Sequence, residues 1–520
     1  MLVPFDLSGG RDMVCSSVIR RIGGACAVVL VLTTAVVGCG MERGHETRSL
    51  PADLVRKIDE IAESSMAAGL IPELQVAVID PEAGTYVHAY GTADLATGRA
   101  ASIHDSVRIG SVTKTFTATA VLRLADEGKL SLDDRLARYI DHIPYGDTIT
   151  LRDLLDMRAG VWGLEENADF SEQLIRKTPA TEWHEGDYVR AIIDNPDRAT
   201  PPNTRTEYSN SNFYLLGLVL EKVTGKPVRE VLDDLAGRYG LHETSYPADA
   251  SMPEPAAHGY AYFDENPTDV TARTTPALFG AAGTMVSTIS DLAAYTGMLG
   301  RGELLRPETF QDRIRVPDSA TRADGGYGLG LAVGGSSRWH NGAVLGYTTH
   351  IGYLPKLKVT VAVVVNQYTI PPVTFAGLQA SPIWSMIVRA LYPGALGEDK
   401  DTNAPVPAVP SVDQLNTQLR QAFDPSVPAA QRTLHAQAEG KDPDLLGRMG
   451  SFLAKYRIML EVNKVTRIGR SLFATAMSES PLAKTPMVVP LTAEDGQWRV
   501  ESGWVCDYLG LVGDTSPACG

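Results

Sequence analysis

One stretch decides the predicted fold of this 520-residue chain: Val107-Arg-Ile-Gly-Ser-Val-Thr-Lys-Thr-Phe-Thr-Ala-Thr-Ala120. Gly110 ends a short extended run, and the pattern predicts a helix that begins at Ser111. Residues at positions i and i+3 share a helix face, so Lys114 is expected over Ser111. A serine hydroxyl is a weak nucleophile until a base takes its proton, and a lysine whose pKa is lowered can be that base. The N–H groups of the first helical turn would stabilise an oxyanion.

The same S-x-x-K spacing also fits a serine that caps a surface helix and is followed by an exposed lysine. Two features argue against that alternative. The helix is rich in threonine, which is a poor composition for a surface helix. It also continues into Ala120-Val-Leu-Arg-Leu-Ala125, so a central, buried helix is predicted.

A second stretch, Tyr208-Ser209-Asn210, follows about a hundred residues later. A phenol near a lysine can relay a proton. The amide of Asn210 both donates and accepts hydrogen bonds, so it can contact the lysine and a substrate carbonyl together. Taken alone, Tyr-Ser-Asn is also a common turn sequence.

The third stretch is His340-Asn341-Gly342-Ala343. Gly342 would allow a substrate backbone to lie close against a strand. The N–H of Ala343 could join that of Ser111 as the second oxyanion donor. A single histidine is more often a satisfied core residue than a catalyst, and that alternative stays open for His340.

The order and separation of these three motifs resemble the serine β-lactamase and penicillin-binding protein superfamily. The branch is that of class C β-lactamases, D-alanyl-D-alanine carboxypeptidases and related esterases. Further stretches that match are Tyr90-Gly-Thr-Ala-Asp94, Leu130-Ser-Leu-Asp-Asp134, Ile149-Thr-Leu-Arg-Asp-Leu-Leu155 and Gly283-Thr-Met-Val-Ser-Thr288. The resemblance covers residues 53–395. It implies a β-lactamase/transpeptidase-like α/β (α+β) fold, with an antiparallel sheet flanked by helices and a helical subdomain.

The resemblance also implies a mechanism through an acyl-serine. Ser111 attacks a carbonyl while Lys114 and Tyr208 share the proton transfers. The N–H groups of Ser111 and Ala343 hold the oxyanion. His340 takes the place of a cation that family members use near the substrate carboxylate, and it helps to polarise Tyr208. The expected partner is a small-molecule or peptide substrate, namely a cell-wall peptide, an ester or a β-lactam.

Asn341 departs from the family pattern, because carboxypeptidase-like members carry a hydroxyl residue there to bind the terminal carboxylate of the substrate. Carboxypeptidase, esterase and weak β-lactamase activities therefore all stay open. The alternative function is that of a non-catalytic binding or scaffolding lipoprotein that retains the fold.

The N-terminal residues predict export. Arg20 and Arg21 precede an apolar stretch of about 16 residues, Ile22–Val37, which is shorter than the roughly 20 residues that span a bilayer. It ends in Val36-Val37-Gly38-Cys39, which resembles the bacterial lipobox. We therefore expect a lipoprotein signal peptide over 1–38, lipid on Cys39, a tether over 39–52, and a location on the outer face of the cell membrane. An uncleaved signal anchor is the alternative.

The C-terminal part is predicted to be a second domain. Prolines in 396–411 predict a linker, and 412–520 predicts a small α+β domain. Its strand order, with Pro410-Ser-Val-Asp-Gln-Leu415 and Phe423-Asp-Pro-Ser-Val-Pro428, resembles the cone-like domain of an actinobacterial low-molecular-weight antigen family. A binding or spacer role is expected. Cys506 and Cys519 are candidates for a disulfide in an oxidising compartment.

Composition excludes several other classes of function. The net charge of -15 makes nucleic acid an unlikely partner, since an acidic chain repels phosphates. No cysteine occurs between Cys39 and Cys506, which argues against cysteine catalysis or a thiolate zinc site in the interior. The ten histidines are scattered and form no His-Glu-x-x-His motif. No metal and no cofactor are expected.

Overall fold

The computed structural model describes residues 48–163, 184, 186–317, 326–334, 336–368, 379–396, 404–481, 484–510 and 516–519. The predicted signal peptide, Cys39 and residues 39–47 of the predicted tether lie outside the described residues, as do residues 397–403 of the predicted linker. Within the described ranges, no helix is long and apolar enough to cross a membrane.

An eight-stranded sheet organises residues 73–365. Its strands in chain order are β1 Glu73–Asp80, β2 Gly84–Asp94, β3 Arg99–Ala100, β8 Gly326–Tyr327, β9 Ala332–Val333, β10 Arg338–Val344, β11 Tyr347–Leu354 and β12 Val359–Val365. Four short strands lie outside this sheet: β4 Val107–Arg108, β5 Tyr260–Tyr262, β6 Pro267–Asp269 and β7 Val286–Ser287. The spatial order is β3-β2-β1-β12-β11-β10-β9-β8, and neighbouring strands are antiparallel. β1 pairs with β12, so strands from both ends of this region join in one sheet.

Helices cover both faces of this sheet. They are α1 Ala52–Gly69, α2 Thr113–Asp126, α3 Leu151–Leu155, α4 Asp187–Asp194, α5 Asn210–Thr224, α6 Val228–Arg238, α7 Pro276–Phe279, α8 Ile289–Arg301, α9 Pro307–Arg313 and α10 Ala380–Leu391. Residues of α1 and α10 share one core cluster with Val361 and Val363, whereas residues of α2, α5 and α8 share another with Ala362 and Val364. Because β12 is buried on both faces, its sequence is rich in valine throughout rather than alternating between apolar and polar residues. The predicted antiparallel sheet flanked by helices is confirmed.

The C-terminal residues form a second sheet with its own core. Its elements are α11 Val412–Ala422, β13 His435–Ala436, α12 Leu445–Lys455, β14 Met459–Ile468, β15 Ser471–Glu479, β16 Lys484–Glu494, β17 Gln497–Val500 and α13 Ser502–Gly510. The strand order is β13-β17-β16-β15-β14. Cys506 of α13 is joined by a disulfide to Cys519. A second small α+β domain is therefore present, as predicted.

This second sheet packs against the first region through α1. Phe473 and Val488 are buried in the same cluster as Ile58 and Ile61 of α1. The hydroxyl of Thr475 donates to the Ala68 carbonyl at 2.9 Å. The face of the second sheet that carries Phe473 and Thr475 is thus packed against α1 of the same chain.

Candidate active site

The chain turns sharply immediately before Ser111. Gly110 has a φ of +51°, which favours glycine, and Gly110–Val112 forms a 3₁₀ turn that leads into α2 at Thr113. The α-helix therefore begins two residues later than predicted, because a tighter 3₁₀ turn forms its entry. Ser111 stays partly exposed, while the nine residues that follow it are buried.

Buried hydroxyls explain the threonine-rich composition of α2. Thr117 donates to the Ala281 carbonyl at 2.7 Å, and the Thr113 hydroxyl accepts from the Met285 N–H at 3.1 Å. These bonds fix α2 against the segment that carries the Ala282 carbonyl. Threonine is therefore used here for internal hydrogen bonds rather than for helix propensity.

Lys114 is completely buried and its Nζ lies at the centre of the site. It is 2.9 Å from Ser111 Oγ, 2.6 Å from Asn210 Oδ1 and 2.8 Å from the Ala282 carbonyl. The two carbonyl oxygens can only accept, so they take two N–H groups. At 2.9 Å from Ser111 Oγ, the amine in its neutral form can accept the proton of the serine hydroxyl. This geometry suits a base that removes the serine proton.

Tyr208 and Asn210 enter the site from the start of α5. Ser209 caps this helix by accepting from the Ser211 N–H at 3.2 Å, so Asn210 is its first residue. Tyr208 lies in the preceding extended segment and is 45% exposed, with its ring centroid 5.0 Å from Lys114 Nζ. A phenol so placed can reach both the lysine and a bound substrate.

Strand β10 contacts the Ser111 turn through two glycines. A Cβ atom on Gly342 would lie 2.0 Å from the Ile109 carbonyl oxygen and 3.1 Å from Ser111 N. One on Gly110 would lie 2.8 Å from Ala343 N. The two predicted oxyanion donors, Ser111 N–H and Ala343 N–H, are thus close together. Gly342 makes room for the chain's own Ile109 carbonyl, rather than for a substrate backbone as predicted.

His340 is buried on the same face of β10 as Gly342. Its Nε2 lies 2.9 Å from the Tyr327 hydroxyl, and its Nδ1 lies 2.6 Å from the Asn341 carbonyl. Burial, followed by the charge of Lys114, lowers the pKa of His340 to about 3. The ring is therefore neutral at pH 7, so His340 brings no positive charge to the position where family members use a cation. Its direct phenol partner is Tyr327 rather than Tyr208, whose ring centroid is 6.5 Å away.

Asn341 is exposed, and the alternation of β10 places its side chain on the opposite face from His340 and Gly342. Its cross-strand partner is His350, which stacks on Trp339 and meets Trp384 of α10 at a tilted angle. Within the described residues, β9 pairs with β10 only at Arg338 and Trp339, so the edge of β10 beside Asn341 and Ala343 has no strand partner there. Backbone groups on this edge are the groups that an extended substrate would meet.

Two components of the site were missed by the sequence analysis. One is the Ala282 carbonyl, which precedes the recognised Gly283–Thr288 stretch by one residue. The other is Tyr327, which contacts both Tyr208 and His340. The sequence Gly326-Tyr-Gly-Leu-Gly330 is a usable signal for the latter, because glycines around one aromatic residue indicate tight backbone packing.

The described residues contain no group of three or more His, Cys, Asp and Glu side chains placed to hold a metal ion. The chemistry derived above needs only the serine, the amine, the phenol and backbone N–H groups.

Comparison with known families gives two matches along the chain. The family model described as Beta-lactamase matches residues 58–377. The model described as low molecular weight antigen MTB12, C-terminal domain, matches residues 408–516.

Individual relatives agree with the first match. Protein flp of Staphylococcus aureus (strain MW2) is 28% identical over 190 residues, which are 36% of this chain and 36% of that protein, so this chain spans about a third of its length. The structure of a D-stereospecific amidohydrolase from Streptomyces sp. has a TM-score of 0.56 and 26% identity, covering 65% of this chain and 98% of that one. That of a penicillin binding protein from Bacillus halodurans has a TM-score of 0.54 and 25% identity, covering 64% and 99%.

Proposed function

The chain belongs to the Beta-lactamase family, whose members include serine hydrolases, and from that premise we propose that it is a serine hydrolase that forms an acyl-enzyme at Ser111. The observation that carries this proposal is the buried Lys114 amine, 2.9 Å from Ser111 Oγ. Bonds to Asn210 Oδ1 and to the Ala282 carbonyl hold the amine at this place, where its neutral form can take the serine proton.

The reaction proceeds in two halves. Lys114 takes the proton of Ser111 as Oγ attacks the substrate carbonyl carbon, and the N–H groups of Ser111 and Ala343 stabilise the oxyanion. Tyr208 delivers a proton to the leaving amine or alcohol as the tetrahedral intermediate collapses to the acyl-serine. Water then attacks the ester, with the same groups moving its proton, and the acid product leaves.

The site favours an amide or ester substrate whose leaving group carries no carboxylate. A neutral His340 gives no cation at the position where carboxypeptidase-like relatives bind a terminal carboxylate. The likeness to a D-stereospecific amidohydrolase adds D-amino acid amides to the candidates. Cleavage of a D-alanyl-D-alanine stem peptide and weak β-lactam hydrolysis use the same intermediate and rank below amides and esters.

A substrate panel tests the proposal. The purified chain is incubated with D-phenylalanine amide, a short-chain p-nitrophenyl ester, a D-alanyl-D-alanine peptide and a penicillin, and the products are quantified. We expect turnover of an amide or ester that is lost in Ser111→Ala and retained in Ser251→Ala, which removes an exposed hydroxyl elsewhere. Turnover of the dipeptide alone would overturn the substrate class. No turnover, with no covalent adduct, would favour the non-catalytic lipoprotein.

We also propose that the enzyme works from the outer face of the membrane, tethered by lipid on Cys39. The Val36-Val-Gly-Cys39 pattern supports this location. Cys39→Ser should move the chain out of the membrane fraction and abolish incorporation of a labelled fatty acid. Retention of the variant in the membrane with unchanged labelling would contradict the proposal.

A further inference from the structure

Tyr327 lies where three parts of the site meet. It is half-buried on β8, and its hydroxyl is 2.9 Å from His340 Nε2. Its ring meets that of Tyr208 edge-on, with centroids 6.1 Å apart and planes at 90°. Tyr327 thus contacts both the exposed phenol of Tyr208 and the buried imidazole of His340, which is a residue of β10, the strand that also carries Ala343.

The direction of the hydrogen bonds around His340 follows from its partners. The Asn341 carbonyl can only accept, so His340 Nδ1 carries the proton and donates. In the neutral ring, Nε2 must then accept, and the Tyr327 hydroxyl is its donor. Burial raises the pKa of Tyr327 well above its ordinary value, which keeps the hydroxyl protonated. The bonds therefore run from Tyr327 through His340 to the backbone of β10.

Arg313 fixes the strand that carries Tyr327. Its buried guanidinium donates to the Thr119 hydroxyl at 2.8 Å and to the Thr115 carbonyl at 3.0 Å, both on the helix that follows Ser111. Its own carbonyl accepts from the Leu329 N–H at 2.9 Å. A Cβ atom on Gly328 would lie 2.1 Å from that carbonyl oxygen, so the chain after Tyr327 is packed tightly.

From these contacts, we propose that Tyr327 is a positioning residue: its hydroxyl holds His340 as the Nδ1–H tautomer, and His340 thereby fixes the Asn341 carbonyl on the strand that supplies the Ala343 N–H. The effect on catalysis rests on the proposed function. The tautomer itself is a property of the folded chain and can be measured without turnover.

The test compares two tyrosine-to-phenylalanine variants of the full chain. Tyr327→Phe keeps the ring beside Tyr208 and removes only the hydroxyl. Tyr239→Phe is the matched control, because it too removes a hydroxyl that donates a hydrogen bond, in this case to the Leu304 carbonyl at 2.8 Å rather than to His340. Imidazole ¹⁵N signals are recorded with labelled histidine and assigned with His340→Gln. Reactivity of Ser111 is followed by its phosphonylation with a fluorophosphonate probe, in which Oγ displaces fluoride from phosphorus, and kcat and KM are measured with the ester.

We expect Tyr327→Phe to move the Nε2 signal of His340 and to lower kcat about tenfold with little change in KM, since a lost hydrogen bond of about 1.4 kcal/mol is a factor of ten. Tyr239→Phe should change neither quantity. Unchanged His340 signals would overturn the assignment of the tautomer to Tyr327, and altered signals with unchanged kcat would overturn the positioning role. A wild-type chain whose Ser111 neither reacts with the fluorophosphonate nor turns over the ester would overturn the proposed function, and the His340 signals distinguish that failure from a failure of the tautomer assignment.

Discussion

Replacing Gly342 by alanine should separate the nucleophile from its second oxyanion donor. The added Cβ would lie 2.0 Å from the Ile109 carbonyl oxygen, whereas ordinary contact begins near 3.4 Å. The difference, about 1.4 Å, must be taken up by backbone, because the atom met is a carbonyl and not a flexible side chain. Gly342 is not among the residues with a positive φ, so the perturbation is one of space alone.

A displacement of this size is large for catalysis. A misplacement of 1 Å can cost roughly a hundredfold in rate, so the acylation rate of Gly342→Ala should fall by about 100-fold or more, equivalent to about 2.7 kcal/mol of transition-state stabilisation. The acylation rate is measured from the p-nitrophenol released when the short-chain p-nitrophenyl ester acylates Ser111. Circular dichroism at increasing temperature establishes that the variant is folded at the assay temperature.

Gly237→Ala is the matched control for this experiment. It is the same substitution at an exposed position of α6, where an added Cβ meets no atom within 4 Å. It should keep the wild-type rate and gain slightly in stability, because alanine is about 1 kcal/mol better than glycine inside a helix. If folded Gly342→Ala is acylated as fast as wild type, the prediction is wrong, because acylation would then not need the observed contact between the Ser111 turn and β10.

The remaining predictions concern single side chains. Lys114→Met should lower the acylation rate by roughly 10²–10⁴, the usual contribution of a general base, and a loss below tenfold would contradict its role. Burial and the neighbouring His340 lower the pKa of His350 to about 3 from 6.5. Between pH 3 and pH 6.5 the unfolded chain therefore binds more protons than the folded chain, so the free energy of unfolding should fall as pH falls through this range. His350→Phe should reduce the difference between urea midpoints at pH 4 and pH 7, and an unchanged difference would count against it. Burial raises the pKa of Glu73 to about 8 from 4.5, so its contribution to stability is lost as pH rises from 4.5 to 8, and Glu73→Gln should flatten that loss in thermal melts. Phe473→Ala should lower the free energy of unfolding by about 3–5 kcal/mol and should speed amide hydrogen exchange in α1. If exchange changes only in residues 412–520, the packing of the second sheet on α1 is contradicted.

Much of the site could be predicted from the spacing of residues that are close together in the sequence. The separation of three residues between Ser111 and Lys114 is itself a distance constraint on a helix, and the two groups lie 2.9 Å apart. The threonine-rich composition of α2 correctly indicated a buried helix.

Properties that depend on distant neighbours could not be predicted in this way. The charge state of His340 depends on its burial and on Lys114, which is more than two hundred residues away in sequence. The space beside Gly342 is filled by Ile109, a contact between remote segments that no local pattern encodes. Tyr327 became part of the site only through the packing of its strand on Arg313. The packing of Phe473 on α1 was missed because a proline-rich linker predicts separation rather than contact.

The most direct test of the central claim is to locate the covalent intermediate. The chain is mixed with an acylating substrate, stopped in acid within milliseconds to seconds, and digested for tandem mass spectrometry. The account predicts one acyl group on Ser111 in wild type, a much slower appearance of the same group in Lys114→Met, and none in Ser111→Ala. An acyl group on another residue, or turnover that persists in Ser111→Ala, would contradict the assignment of Ser111 as the nucleophile.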